Sequence, residues 1–449
     1  MPKSRKKINF PHHRFIETSR RYAVICAGSV DLGTTRIKGV LTDRDNRILA
    51  EAEQTVAFVP GISGIEIDPE GHWRMLVDIL RELAVEAAVH GEPVEALAFA
   101  AASGNTLLLD RESGKPLTNI ISWLDERAVG ADLPCLRGLT PAYMRRLTGW
   151  PCVTIFPPAH LAWLREYHPE LLDRAFVSQN HDYLQYRLTG RHRIDYSSAT
   201  PFLLADQCAE CYAPELLARF GIDEKDLPEL CPSGSPVGSL TPEAAVATGL
   251  STETVVYAGS FDHPAAARAA DIRHEGQLLL SCGTSWVGFF PCGDRERIIG
   301  AELLCDPFTR RENGLWGAIF SLPGIGRRID RYVNEFIAPG AEHPLRVFDE
   351  LAGQGDAGGA RIDLLAEYRT PDCTPAQAAR AVMESSARLL AERLDELKKH
   401  GFTFTEAVMV GGPSRSPVWP GIVAETTGLK LTTGGKSAGA LGAAILCSK

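Results

Sequence analysis

The chain has 449 residues, 45% hydrophobic and 23% charged, which is material for two folded domains with a large core and excludes a disordered protein. No run approaches the roughly 18 apolar residues of a membrane span, and no signal-peptide pattern is present, so a cytoplasmic globular protein is expected. Net charge is −9; residues 1–21 hold seven basic residues and one acidic, leaving an acidic remainder with no general attraction for nucleic acid.

In chain order, 1–21 reads as a solvated basic arm. Strands are expected at 23–30, 37–42 and 48–58, a helix at 72–90 closed by Gly91, and a strand at 96–101. Helical patterns follow at 141–149, 158–167 and 182–188, then a Pro- and Gly-rich loop at 232–238 and a short helix at 242–248. Strands recur at 255–259, 276–281 and 287–290, followed by a long amphipathic helix over 374–400, a strand at 407–410 and a small-residue helix at 438–446. Strands interleaved with helices indicate α/β domains with mixed sheets. The eleven cysteines are odd in number and scattered, with Cys26, Cys282 and Cys447 in apolar surroundings, so reduced core thiols are expected. The close pair Cys208 and Cys211, with Cys231 alone as a third candidate, falls short of a structural zinc set and reads as incidental thiols.

A repeat carries the first functional signal. Val30-Asp31-Leu32-Gly33-Thr34-Thr35 and Leu280-Ser281-Cys282-Gly283-Thr284-Ser285 are the same device 250 residues apart: an apolar strand, a Gly-Thr turn, and a second strand. One copy is an ordinary β-turn. Two copies, each heading one half of the chain, suggest a duplicated domain whose turns offer N–H groups and hydroxyls to phosphate. Other phosphate motifs fail: Gly435-Lys436-Ser437 ends like a Walker A loop, but the position of its first glycine holds Lys430.

Ten segments in order then resemble the FGGY family of carbohydrate kinases, within the actin–Hsp70–sugar kinase superfamily. They include 31–38 (DLGTTRIK), 66–69 (EIDP) with Trp73, 123–127 (WLDER), 182–190 (DYLQYRLTG), 195–199 (DYSSA), 259–266 (GSFDHPAA), 280–285 (LSCGTS) and 410–419 (VGGPSRSPVW). The resemblance implies two ribonuclease-H-like, actin-like ATPase domains, 22–270 for sugar and the first phosphate turn and 271–449 for ATP, with the active site in the cleft between them. It places Asp31 beside the Mg²⁺ of ATP, Gly33, Thr34, Thr35 and Lys38 around the phosphates, and Gly283 and Thr284 on them from the other domain. Gly411, Gly412 and Ser414 would line the adenosine pocket, and Asp262 would be the catalytic base. His263, Trp123, Asp125 and Asn105 are sugar-contact candidates.

The sequence departs from the family's pattern at Ser103-Gly104-Asn105, where many pentulose kinases carry a Gln-Met/His element, and at Arg36, usually a small residue. These departures leave the ATP chemistry in place and the acceptor open among xylulose, ribulose, another ketose and a polyol. The resemblance itself implies a ketopentose or a similar ketose or polyol, with ATP and Mg²⁺, and a homodimer is left open. The alternative is a catalytically inactive, nucleotide-dependent regulator of the same superfamily; the carboxylate at position 262 favours the enzyme, because phosphoryl transfer needs a group to accept the hydroxyl proton.

Overall fold

The computed structural model describes residues 26–60, 64–151 and 155–447, so the basic arm lies outside the described residues. The first half contributes β1 (Cys26–Leu32), β2 (Arg36–Thr42), β3 (Ile48–Thr55), α1 (Pro69–His90), β4 (Val94–Ala101), β5 (Pro236–Ser239), β6 (Val255–Phe261) and α2 (Asp262–Ala269). The second half contributes β7 (Gln277–Cys282), β8 (Trp286–Cys292), β9 (Leu304–Thr309), β10 (Leu315–Leu322), α3 (Pro375–Lys399), β11 (Glu406–Gly411), β12 (Lys430–Thr433) and α4 (Ala438–Leu446).

These strands form two six-stranded sheets, β5-β6-β4-β1-β2-β3 and β9-β10-β8-β7-β11-β12. In each, an antiparallel meander (β1 to β3; β7, β8 and β10) meets parallel strands added beside its first member. The repeat seen in the turns is thus a repeat of whole sheets, and the architecture is the mixed α/β, two-sheet arrangement of the actin-like ATPase fold. All strands of the first sheet precede residue 270 and all of the second follow it.

Local chemistry explains the elements. Helix α1 begins where the Asp68 side chain accepts from the N–H groups of Glu70 and Gly71, with Pro69 at the first helical position, and ends at Gly91 in the left-handed region. Strand β4 reads Val-Glu-Ala-Leu-Ala-Phe-Ala-Ala and is buried on both faces, as a central parallel strand must be. Its larger side chains, Leu97 and Phe99, pack with Leu76 and Ile79 of α1, while Ala98 and Ala100 face Ala443 of α4. Small residues on that face let α4 lie close: Ser29 Oγ donates to Ala440 O at 2.7 Å, and a Cβ added to Gly442 would fall 1.7 Å from Ala265 O.

That packing crosses the halves. Helix α4 belongs to the second half by sequence yet closes the first sheet, while α2 brings Ala266 and Ala267 into a core with Leu279, Phe289 and Val410 of the second. One expectation is corrected here: the end of the expected 232–238 loop is edge strand β5, with Pro236 as its first residue, where a missing N–H costs the sheet no bond. Between β4 and β5 the chain builds a satellite layer from helices Pro141–Thr148, Pro157–Tyr167 and Asn180–Thr189. Cys208 and Cys211 are both exposed free thiols, Cys282 is buried, and no group of three or more metal-ligating side chains forms among the described residues. Nor is any helix among them long and apolar enough to cross a membrane.

Candidate active site

Strands β1 and β7 each run into a Gly-Thr turn, and the residues around these strand ends face a cleft of about 840 Å³ between the sheets. Its lining draws Asp31, Lys38, Asp262, His263, Gly411, Gly412 and Ser414 together from five elements or the loops beside them. Asp31 sits at the end of β1, half-buried and opposite Lys38 in the β1–β2 register. Burial first, and the Asp262 charge second, push the Asp31 acid up to about 7 against the pull of Lys38. The Asp262 charge thus disfavours that of Asp31 in a cleft that also holds cationic groups. Asp262 opens helix α2, and the His263 N–H donates to its Oδ1 at 2.7 Å.

The first turn is braced from outside. Trp123 Nε1 donates to Thr34 Oγ1 at 3.0 Å, and the Val56 N–H donates to Thr35 O at 3.0 Å. Asn105 accepts the Trp123 N–H at 3.0 Å and donates to Asn180 Oδ1 at 2.9 Å and Ala102 O at 3.1 Å. Trp123 is thus tied to a phosphate turn and Asn105 to the backbone of Trp123. Asp125 is fully buried: its oxygens take the Ile65 N–H at 2.6 Å and the Arg127 guanidinium at 2.7 Å, and Arg127 also reaches Glu66. Of the sugar-contact candidates, Asp125 and Asn105 have their polar atoms engaged inside the protein, so both read as framing; His263 alone faces the 840 Å³ cleft.

The second turn is equally supported. The Gly283 N–H donates to Ser285 O, the Gly324 N–H to Ser285 Oγ at 3.0 Å, and Thr284 is exposed. Gly411 has φ 97 and a Cβ there would fall 2.3 Å from Cys282 O, so only glycine lets β11 approach β7 at this level. Ser414 Oγ donates back to Gly411 O at 2.8 Å, closing the loop that leaves β11. Trp286 is fully buried and its ring centroid lies 5.7 Å from that of Trp419, which makes it a core residue.

Several lining residues escape sequence reasoning. Arg415, Glu51, the 434–437 loop with Lys436, and the first two residues of α4 all face the cleft, and a Cβ on Gly439 would meet Asp31 Oδ2 at 2.5 Å. The Gly-Lys-Ser string dismissed as a Walker A loop is thus part of the site by a different route, as the approach to a helix N-terminus. Its signal was the glycine pair ahead of a small-residue helix.

Asp31 and Ser281, on the strands that run into the two Gly-Thr turns, line one cleft with Asp262 at the start of a helix. Gly33, Thr34, Thr35, Gly283 and Thr284 lie outside that lining. A carboxylate so placed fits an enzyme that moves a phosphoryl group onto a hydroxyl. Residues 26–268 match the N-terminal domain of the FGGY family of carbohydrate kinases and residues 355–449 its C-terminal domain. The chain belongs to this family and is a phosphotransferase with an alcohol group as acceptor. Over 442 residues it is 25% identical to the xylulose kinase of Bacillus subtilis (strain 168), covering 93% of this chain and 87% of that one. It is also 25% identical over 413 residues to the L-fuculokinase of Salmonella typhi, covering 87% and 84%. The crystal structure of xylulose kinase from Rhodospirillum rubrum superposes with a TM-score of 0.80 at 24% identity, covering 94% of this chain and 89% of that one.

Proposed function

We propose that this enzyme transfers the γ-phosphoryl group of ATP to a hydroxyl of a ketopentose, or of a closely similar ketose or polyol. The observation that carries the reading is that Asp262 and Asp31 line one cleft with Lys38 and the Gly411–Gly412 loop. Likeness over most of the chain to a xylulose kinase and an L-fuculokinase supports a small sugar.

In this mechanism the N–H groups of Gly33 to Thr35 and, from the Gly283–Thr284 turn, the N–H and hydroxyl of Thr284 hold the phosphates from both sides, and Gly411, Gly412 and Ser414 receive the adenosine. A nucleotide-bound Mg²⁺ fits the residues present: Asp31, a half-buried carboxylate lining the cleft, would hold this hard, oxygen-seeking cation. When bound it would neutralise phosphate charge. Asp262 accepts the proton of the attacking hydroxyl, and His263 bonds a neighbouring sugar hydroxyl. Trp123 keeps Thr34 oriented through its indole N–H, and Asp125 and Asn105 hold its loop in place.

ADP release across a panel of ketopentoses, ketohexoses, aldoses and polyols tests the proposal. Turnover should be highest with a ketopentose or a near relative, and turnover with none of the panel would overturn it.

A further inference from the structure

The proposed base opens helix α2, and both ends of that helix are gripped by one bulge of the second sheet. At its start, Ser197 Oγ accepts the Phe261 N–H at 3.2 Å and donates to Asp306 Oδ2 at 2.7 Å. Asp306 Oδ1 accepts the Phe308 N–H at 2.7 Å. At the other end, Arg268 Nη2 donates to Phe308 O at 2.9 Å, and its guanidinium lies over the Phe308 ring. The register of β9 against β10 slips between Asp306 and Thr309, and Phe308 has φ 37, a conformation that costs energy for a non-glycine residue. Ser197 and Asp306 are 2% and 1% exposed. Burying a carboxylate beside a strained bulge is unfavourable unless its bonds hold something in place.

What they hold is the Ser260–Phe261 peptide, one residue ahead of Asp262. Ser197 comes from the short helix Tyr196–Ala199 of the first half and Asp306 from the second sheet, so the Phe261 N–H is referenced to the sheet that carries the Gly283–Thr284 turn. A hydroxyl has one proton; with Asp306 taking it, the lone pairs of Ser197 Oγ stay free for the Phe261 N–H. We propose that Ser197 and Asp306 are positioning residues that fix the Asp262 carboxylate relative to the phosphate turn of the second sheet. The inference rests on Asp262 being the base.

The test compares Ser197→Ala, Ser197→Thr, Asp306→Asn and Asp262→Asn, and the double variant of Ser197→Ala with Asp262→Asn, in the full chain. Ser197→Ala should lower kcat about 10- to 100-fold, the scale of a small misplacement of a reacting group, with KM for sugar and ATP within about three-fold. Ser197→Thr, which keeps the hydroxyl, should restore most of the loss, and Asp306→Asn should fall between. In the Asp262→Asn background Ser197→Ala should change kcat less than about three-fold, because the geometry of an absent base no longer matters. Should Ser197→Ala fail to fold, Ser197→Cys, similar in size and a weaker hydrogen-bonding group, carries the same comparison. An equal loss in both backgrounds, or no loss of kcat in Ser197→Ala while Asp262→Asn is inactive, would overturn the positioning role and leave the base in place. Asp262→Asn retaining more than about a tenth of wild-type kcat would overturn the base assignment and this inference with it.

Discussion

In the proposed mechanism Asp31 and Asp262, two carboxylates of one cleft, take different roles. Asp31 ends a strand and is half-buried beside Lys38, suited to a cation; Asp262 opens a helix at the cleft wall, suited to a hydroxyl. Asp262→Asn keeps size and hydrogen bonding but cannot take the proton, so kcat should fall by about 10²-fold or more while nucleotide and sugar affinities change far less. Steady-state kinetics with binding titrations would check this. Elsewhere a buried residue sets a pH dependence. Burial holds the His181 imidazole down at about 3, and neither of its ring nitrogens has a hydrogen-bond partner among the described residues. The unfolded chain protonates this group near pH 6.5 and the native state does not until about 3, so its contribution is intact above 6.5 and is lost as pH falls. His181→Leu should therefore gain stability relative to wild type by about 1.4 kcal/mol per pH unit below 6.5. Urea melts at pH 7 and pH 5 would read the gain, and the same difference at both would refute it.

Between elements, the contact that unites the halves is the close crossing of α2 and α4. Alanine along β4 and α4 and glycine at 442 permit it, because any larger side chain would separate backbones that touch. Gly442→Ala should cost stability by about 1–3 kcal/mol or more and lower activity, since the clash is with the Ala265 carbonyl rather than a movable side chain. Gly421→Ala is the control: a Cβ there meets nothing within 4 Å, and alanine favours its helix, so the melting temperature should hold or rise. The elements themselves were largely readable. Helix α1 shows its apolar spacing and closing glycine in sequence, although it starts at Pro69 after the Asp68 cap, three residues ahead of the expected 72, and β4 shows its apolar run. Strand β5 was not readable, because a Pro- and Gly-rich segment becomes strand only where a sheet edge is available to pair it.

For the whole molecule, the shared core borders the cleft, since Ala266 and Val410 belong to both. Phe261, Ala266 and Ala267 pack with Leu279, Phe289 and Val410, and Gln207 Nε2 donates to Cys305 O at 2.8 Å, so the halves are fastened on that side. The cleft is open around Asp31 and Asp262. Sugar and nucleotide together should draw the walls of the cleft inward about the fastened side and exclude water that would otherwise hydrolyse ATP. X-ray scattering should show a smaller radius of gyration with both ligands than with either alone, and no compaction would count against closure.

The sequence by itself determined what local pattern encodes: the two Gly-Thr turns with their flanking strands, the carboxylate that opens α2, the capped helices, and the duplicated order of elements. These depend on residues a few positions apart, whose backbone preferences and apolar spacing act before any partner is chosen. Tertiary structure alone decided the rest. It set helix α4 on the first sheet through Ser29 and Ala440, 411 residues apart, and brought Ser197 to Asp306 across 109 residues. It also turned Asp125 inward to Arg127 and delivered Lys436 to the cleft. Periodicity says which face of an element must be buried; it does not say against what, because that choice is made by the shape and polarity of surfaces that exist only once the chain has folded.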